Sequence, residues 1–484
     1  EEKRPWDLLI IGGGATGLGV AVDASSRGYR VLLVEQHDFA KATSSRSTKL
    51  VHGGVRYLQQ GDVSMVVEAL HERGRLWRNA PHLVKDMRFI IGNYRWWERP
   101  FYTIGLCCYD LLAGRLGLGR SLPLSKKQTL KELPGLLHDH LRGGVVYHDG
   151  QFDDSRMAIT LMQSAHDHGA ICINYMKVTS LIKNDSGKIC GAALEDTLEG
   201  GTYEVNVKGV VNATGVYVDD IMQMDKPESR KKVRPSQGVH IVVDAAFLGG
   251  NSALMIPKTR DGRVLFGVPW HGKAVLGTTD TPLNENSLEP KPLDEEIDFI
   301  LDQAGQYLTH KPKRSDVLSV FAGLRPLAAP THSDSKKTKE ISRNHKIYVS
   351  DSGMLTITGG KWTTYRQMAE EAVNKVAALI GLEPRACVTR KMQLHGYREE
   401  VDRSVWDYVY GSDADQIAAL IENDASLGEL LHIGYTFRVA HVIWAVREEM
   451  AQTVEDVLAR RVRALFMDAR AAMEMAPRVA AIMA

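Results

Sequence analysis

The pattern of apolar and polar positions is most regular at the start of the chain. Leu8, Leu9, Ile10 and Ile11 run into Gly12-Gly13-Gly14-Ala15-Thr16-Gly17. A small-residue segment follows through Arg27 and Gly28, and a second apolar run over 31–34 stops at Glu35. Short, wholly apolar runs bounded by glycine predict strands buried on both faces, here with a tight turn and a helix between them. Over 63–80, Val63, Val66, Val67, Leu70 and Leu76 alternate with Glu68, Glu72, Arg73 and Arg75 at helical spacing. Asp153-Asp154-Ser155-Arg156 precedes a predicted helix over 157–168 and a strand over 171–174. Runs at 178–182, 191–195 and 202–207, parted by Asp185-Ser186-Gly187 and Gly200-Gly201, predict a small antiparallel excursion. The chain returns through Gly209, Val210 and Val211 to Asn212-Ala213-Thr214-Gly215, the end of another buried strand.

From about 222 to 319 the pattern changes to strands with Gly and Pro punctuation, at 239–243, 264–268 and 274–277, which predicts a mostly antiparallel sheet. The aromatic, apolar stretch over 102–112 reads as core or as a wall of that second domain, with a quinone or membrane contact as the other reading. Gly359 and Gly360 open a predicted helix that continues to 380, and after Arg385 the pattern is all-helical. Thr453 and Asp456 have capping-box spacing. They predict one helix with Val454, Val457, Leu458, Val462, Leu465 and Phe466 on a single face.

The first unit implies chemistry as well as structure. Gly12 permits the turn, Gly14 lets the backbone approach a pyrophosphate, and Gly17 lets the helix pack closely on the strand. The N–H groups at Ala15 and Thr16 face phosphates. Glu35, about twenty residues on and followed by Gln36, is placed to accept hydrogen bonds from a ribose hydroxyl. The next segment is dense in hydroxyls and glycine: Thr43, Ser44, Ser45, Ser47, Lys49, Leu50, His52, Gly53 and Gly54. Two adjacent glycines let backbone pass close to something flat, while hydroxyls and Lys49 reach a cofactor's phosphates or ribitol. Arg56, followed by Tyr57, suits an anionic substrate. His52 reads as a structural or a catalytic histidine, and both readings stand. His240 points away from both Val239 and Ile241 on its strand, and is a candidate base if that face meets the cofactor. Arg325 is positioned between Gly323-Leu324 and the stiff Pro326. With Arg56, Arg343 and Lys361 it makes four cations that jointly suit a dianionic phosphomonoester.

Composition narrows the classes. With 484 residues there is room for two or three domains, and 44% hydrophobic with 25% charged residues is ordinary globular usage. A formal net charge of +1 argues against a chain-wide nucleic-acid footprint. The five cysteines (Cys107, Cys108, Cys172, Cys190, Cys387) lack a C-x-x-C pair and read as reduced thiols, with no metal site expected. The first apolar run is already the nucleotide-binding strand, so no signal peptide is expected, and a removed leader stays open because the chain lacks an initiator Met. The most apolar long window, 102–118, is broken by Asp110 and Arg115, so no membrane-spanning helix is expected.

The fingerprint with Glu35, followed by Ser47-Thr48-Lys49-Leu50-Val51-His52-Gly53-Gly54-Val55-Arg56-Tyr57-Leu58, resembles the FAD-dependent sn-glycerol-3-phosphate dehydrogenases. The likeness continues through Asn212 to Gly215, the stretch from Pro269 through Gly277-Thr278-Thr279-Asp280-Thr281-Pro282, and Ala322-Gly323-Leu324-Arg325-Pro326-Leu327. Ser342-Arg343 and Gly359-Gly360-Lys361-Trp362-Thr363-Thr364-Tyr365-Arg366 complete it, so it spans nearly the whole chain. These motifs are specific jointly, not singly. The resemblance implies an α/β fold with a discontinuous Rossmann-like FAD-binding domain (1–85, 145–221 and 320–386). An antiparallel-sheet substrate-binding domain (86–144 and 222–319) and a C-terminal all-helical cap (387–484) complete the expected division.

FAD would also meet Val178, Ala213, Thr214, Gly215, Gly323, Arg325, Gly360, Lys361, Trp362 and Thr363. The resemblance implies glycerol 3-phosphate held by Arg56, Tyr57 and Arg343, with Lys361 as a further contact, and Arg325 orienting the C2 hydroxyl. His52 or His240 would remove the hydroxyl proton as C2 hydride moves to flavin N5, giving dihydroxyacetone phosphate. Electrons would pass to ubiquinone or menaquinone at a membrane surface. The enzyme would lie peripherally on the cytoplasmic face of the inner membrane, or on the mitochondrial inner membrane, with a homodimer left open. Three alternatives remain: an oxygen-using glycerol-3-phosphate oxidase, a D-amino-acid or glycine oxidase-like enzyme, and a non-catalytic flavin-binding protein. The second fits less well because it needs a carboxylate and amine site, and the third is opposed by intact His52, Arg56, Arg325 and Arg343. The chain has no D-x-D-x-D-G loop, so calcium control is not supported.

Overall fold

A computed structural model describes residues 4–59, 61–328 and 345–484, with Arg56, Gln59 and Ala328 described by their backbone alone. Arg343 therefore lies outside the described residues. Two sheets organise the chain. In the first, Trp6–Ile11 pairs in parallel with Val31–Val34 on one side and with Thr202–Asn212 on the other, flanked by Ile171–Ile173 and Leu355–Thr358. Leu8, Leu9, Ile10, Val31 and Leu33 are fully buried, as wholly apolar central strands require. Helices Ala15–Ser26, Asp154–Asp167 and Tyr365–Leu379 cover one face. The other is covered by the expected excursion, in which Met176–Lys183, Ile189–Asp196 and the first half of Thr202–Asn212 pair antiparallel.

The second sheet is antiparallel except where Ala253–Ile256 runs parallel to Lys85–Asn93. Its longest strand, Val233–Asp244, is flanked by Ser319–Ala328 and by Lys273–Gly277. Two expected domain boundaries shift. Gly143–Gln151 and Ser319–Ala328 fall largely in the first domain by the limits 145 and 320, yet both hydrogen-bond into the second sheet, and so does Leu50–Val51. Gly143–Gln151 pairs along its whole length with Lys85–Asn93, so neither strand could leave without orphaning the other's backbone groups.

Two further expectations change. The stretch over 102–112 belongs to the helix Glu98–Ala113, of which only Leu106, Tyr109 and Ala113 are buried. Phe101, Ile104 and Leu111 are 53%, 67% and 81% exposed, so this is surface and not core. Near the C-terminus, Thr453 and Asp456 do exchange capping hydrogen bonds. The single expected helix is nevertheless a wide π-turn over Asp456–Arg461, a left-handed residue at Arg463 (φ +65°) and a short helix Ala464–Met467. The cause is electrostatic: Arg460, Arg461 and Arg463 turn inward to buried carboxylates, which an amphipathic helix would not allow.

Among the described residues, no helix is long and apolar enough to cross a membrane. All five cysteines are free thiols.

Candidate active site

The glycine turn behaves as its spacing demands. Gly12 adopts φ +111°, and a Cβ on it would lie 2.8 Å from the Ala213 carbonyl oxygen; one on Gly17 would run into the Gly12 carbonyl oxygen. Gly14 begins the helix without a side-chain cap, and Ser44 Oγ accepts the Ala15 N–H at 2.9 Å. Glu35 accepts the N–H groups of Gly13 (2.7 Å) and His37 (3.0 Å). Burial raises its carboxyl above the usual range, with those N–H groups pulling against it.

These groups line a cleft of about 470 Å³. Gly12, Gly14, Ala15, Thr16, Glu35, Gln36, Thr43 and Ser44 form part of its wall, with Val178, Ala213, Thr214, Gly215, Gly360, Lys361 and Trp362 elsewhere around it. A helix N-terminus whose N-cap is a glycine, beside a carboxylate, fits the pyrophosphate and ribose of FAD. The cleft shares Thr43, Gly360, Lys361 and Trp362 with a second cavity of about 240 Å³, which adds Ser47, Leu50, His52, Tyr57, His240, Gly323, Arg325 and Thr363. Trp362 is fixed there by its indole N–H on the Ser44 carbonyl oxygen, 2.8 Å.

A third cavity, about 200 Å³, is lined by His52, Gly54, Tyr57, Arg325, Tyr147, Met255, Arg263, Phe266 and Asp280, among others. Thr48, His52, Tyr57 and Arg325 line both smaller cavities and so mark their junction. Thr363 Oγ1 accepts the His52 backbone N–H at 3.1 Å, and the His52 ring meets Phe266 edge-on. The Lys361 ammonium sits 4.0 Å above the Tyr57 ring, a cation–π contact that places both side chains at this junction.

His240 differs from His52. It is 3% exposed, stacked 4.9 Å from Phe321, with Nε2 2.9 Å from Thr48 Oγ1. Burial, then the charges of Lys49 and Arg325, hold its protonation well below the usual imidazole range.

Several expected contacts lie behind the cavities. Lys49 is fully buried, its ammonium held by Asp154 (2.7 Å) and by the Ser45 carbonyl oxygen (2.7 Å), and it lines none of the three. Trp270, Phe321 and Phe466 surround the ammonium, and Asp154 meets its charge. Ser45 is likewise buried, supporting Lys49 and Arg463 through its carbonyl. Gly53 makes room for Leu70 and Tyr109, and Gly17 packs the helix. Arg56 has only its backbone described.

Arg263 and Asp280 line the third cavity without having been singled out as site residues. Asp280 stands inside a quoted motif; Arg263, in the turn before the strand Leu265–Trp270, carries no local signal.

A family model described as FAD dependent oxidoreductase matches residues 7–366, and one described as C-terminal domain of alpha-glycerophosphate oxidase matches 355–484. The mitochondrial glycerol-3-phosphate dehydrogenase of Homo sapiens is 40% identical over 517 residues, covering 100% of this chain and 71% of that protein. That of Arabidopsis thaliana is 41% identical over 524 residues, covering 99% and 82%. The structure resembles a glycerol-3-phosphate dehydrogenase from Bacillus halodurans complexed with FAD, with TM-score 0.80, 31% identity and coverage of 100% and 90%. An L-alpha-glycerophosphate oxidase from Mycoplasma pneumoniae shares the fold at TM-score 0.61 and 20% identity, covering 80% and 98%.

Proposed function

The chain belongs to the FAD-dependent glycerol-3-phosphate dehydrogenases, and from that premise we propose that it oxidises sn-glycerol 3-phosphate to dihydroxyacetone phosphate where its two smaller cavities meet. The observation that carries this reading is the set Thr48, His52, Tyr57 and Arg325, shared by the cavity beside the cofactor cleft and the cavity beyond it. Bound FAD supplies the acceptor for the hydride leaving C2. The protein's part is to bind, orient and take the proton.

Arg56, Tyr57 and Arg343 hold the phosphate in this reading, joined by Lys361, because a dianion in a partly apolar cavity needs several cations to replace its water. Arg325 orients the C2 hydroxyl. Tyr147, Met255 and Phe266 form an apolar wall that limits water beside the reacting carbon. His52 is the base that removes the hydroxyl proton. His240 is unsuited to that task, since burial and two nearby cations oppose the charge a base must accept. It serves instead to fix Thr48.

The acceptor in this reading is a membrane quinone. Its support is the helix Glu98–Ala113, with Phe101, Ile104 and Leu111 outward beside Trp96 (77% exposed) and the exposed Arg95, Arg99, Arg115 and Arg120. An apolar face rimmed by arginine suits an anionic lipid surface, and so a peripheral place on an inner membrane.

The test is anaerobic. Glycerol 3-phosphate added to the FAD-loaded protein bleaches the visible flavin absorbance if the substrate reading holds, and leaves it unchanged if it does not. Readmitting oxygen or a short-chain quinone then separates the oxidase alternative from the dehydrogenase.

A further inference from the structure

Arg325 stands at the cavity junction, and the groups that anchor it come from two separate segments. Its Nη1 donates to the Gln237 carbonyl oxygen and to Asp280 Oδ1, both at 3.2 Å. Nη2 donates to Thr278 Oγ1 at 3.1 Å and to the Thr279 carbonyl oxygen at 3.0 Å. The guanidinium lies flat against Gly238: a Cβ on that residue would stand 2.7 Å from Arg325 Cζ and 2.8 Å from Thr278 Oγ1. Strand pairing builds this geometry, because Ser236 faces Arg325 and Gly238 faces Gly323 across Val233–Asp244 and Ser319–Ala328. Thr281–Pro282 pairs with the other edge at Gln237 and Ser236.

A second layer holds the first. Ser236 donates its hydroxyl to Asp280. Glu296 is 5% exposed, and its Oε1 accepts the hydroxyls of Thr279 (2.8 Å) and Thr281 (2.6 Å). Its Oε2 takes the Gln237 side-chain amide at 2.7 Å. The turn bearing Asp280 is therefore tied to the helix Asp294–Gly305. Asp280 itself lines the third cavity with His52 and Tyr57.

We propose that Asp280 and Gly238 form a socket that fixes Arg325 before substrate arrives, with Asp280 as the positioning residue for the arginine that orients the C2 hydroxyl. A free arginine would lose rotamer freedom on each binding event and offer many misaligned geometries. A socketed one presents a single alignment, which is what a reaction sensitive to displacements near 1 Å requires. Asp280 also balances the Arg325 charge in the cavity that both line. This inference rests on the proposed role of Arg325 in glycerol 3-phosphate oxidation.

The test combines two substitutions of different kind with a shared background. D280N removes the charge at nearly constant shape. G238A keeps the charge but pushes the guanidinium off its seat; Gly238 lies in an ordinary extended strand, so the backbone tolerates alanine. Both variants should retain FAD, judged by the flavin-to-protein absorbance ratio, yet lose roughly 10–100-fold in kcat with KM changed less than about threefold. In an R325A background both should become silent, within about twofold, since each acts only through Arg325. Undiminished kcat in either single variant, or losses that persist in R325A, would overturn the socket. Sulfite titration of the oxidised flavin provides a readout independent of glycerol 3-phosphate. Its affinity should fall several-fold in G238A and by the same factor in R325A, without further loss in their double variant, whereas D280N, which leaves the Arg325 charge unbalanced, should not lower it. If wild type is not bleached by glycerol 3-phosphate but the sulfite pattern holds, the substrate reading fails and the socket stands. If wild type bleaches and the sulfite affinities do not move, the socket fails alone.

Discussion

The two histidines that are candidate bases meet different surroundings. His52 lines both smaller cavities, whereas His240 lines only the one beside the cofactor cleft and is packed against Phe321, Thr48 and the Gly277 backbone. A base must be reachable and must tolerate charge, and His240 fails the second condition because Lys49 and Arg325 add to the penalty of burial. H52Q is therefore expected to lower kcat by roughly 10²–10⁴-fold with FAD content unchanged, and H240Q by less than about tenfold. Rapid-mixing measurement of flavin reduction checks this, and equal losses in the two variants would withdraw the assignment of His52.

At the scale of elements, the helix Glu98–Ala113 is the clearest departure from ordinary packing. Its inner side anchors Leu106 and Tyr109, while its outer side offers Phe101, Ile104 and Leu111 to solvent. Substituting Ile104→Ser and Leu111→Ser together removes exposed apolar area without touching the buried side. Folding should be unaffected, and binding to anionic phospholipid vesicles should weaken about tenfold or more in a co-sedimentation assay. Unchanged vesicle binding would overturn the reading of this helix as a membrane contact.

Across the whole molecule, the C-terminal helices are held to the first sheet's helical layer by buried charge. Asp38 is bound by Arg460 and by both η nitrogens of Arg461 (2.8 and 2.9 Å). Burial would raise its carboxyl, but Arg461 and Arg460 overcome this and hold it at about 2. Arg156 grips Glu449 with two hydrogen bonds, and Arg463 reaches Asp154, the carboxylate that also holds Lys49 behind the cofactor cavities. Removing one member leaves charge stranded in a dry interior, so Arg461→Met is expected to cost about 3 kcal/mol in urea unfolding. A nearer-surface tie has a pH signature. His395 bridges Asp167 (2.7 Å) and Asp413 (2.9 Å), and these carboxylates outweigh the opposing effect of burial and raise it to about 9. Its folded-state pKa exceeds the unfolded value, so its contribution is complete below about pH 6.5 and disappears as pH rises through about 9. Unfolding of wild type should weaken by about 1–2 kcal/mol more than that of H395Q between pH 6.5 and 9.5. Parallel pH profiles in the two proteins would remove His395 from that role.

The sequence by itself determined the parts of this protein whose physics is local. A glycine turn between two apolar strands can take few other forms, because close backbone approach excludes every larger side chain, and a side chain on Gly12 or Gly17 would meet backbone there. The antiparallel excursion, the second sheet and the helical C-terminus were legible for the same reason: their periodicities are written residue by residue. Tertiary structure alone decided which charged groups face a cavity and which brace it. Lys49 sits in the same motif as His52 yet turns into the interior, because its partner Asp154 lies 105 positions away. Asp280 and Gly238 acquire meaning only once strand register lays Arg325 across them. The C-terminal stripe predicted one helix, and three buried arginines broke it, since a desolvated charge must reach its partner whatever the local period prefers.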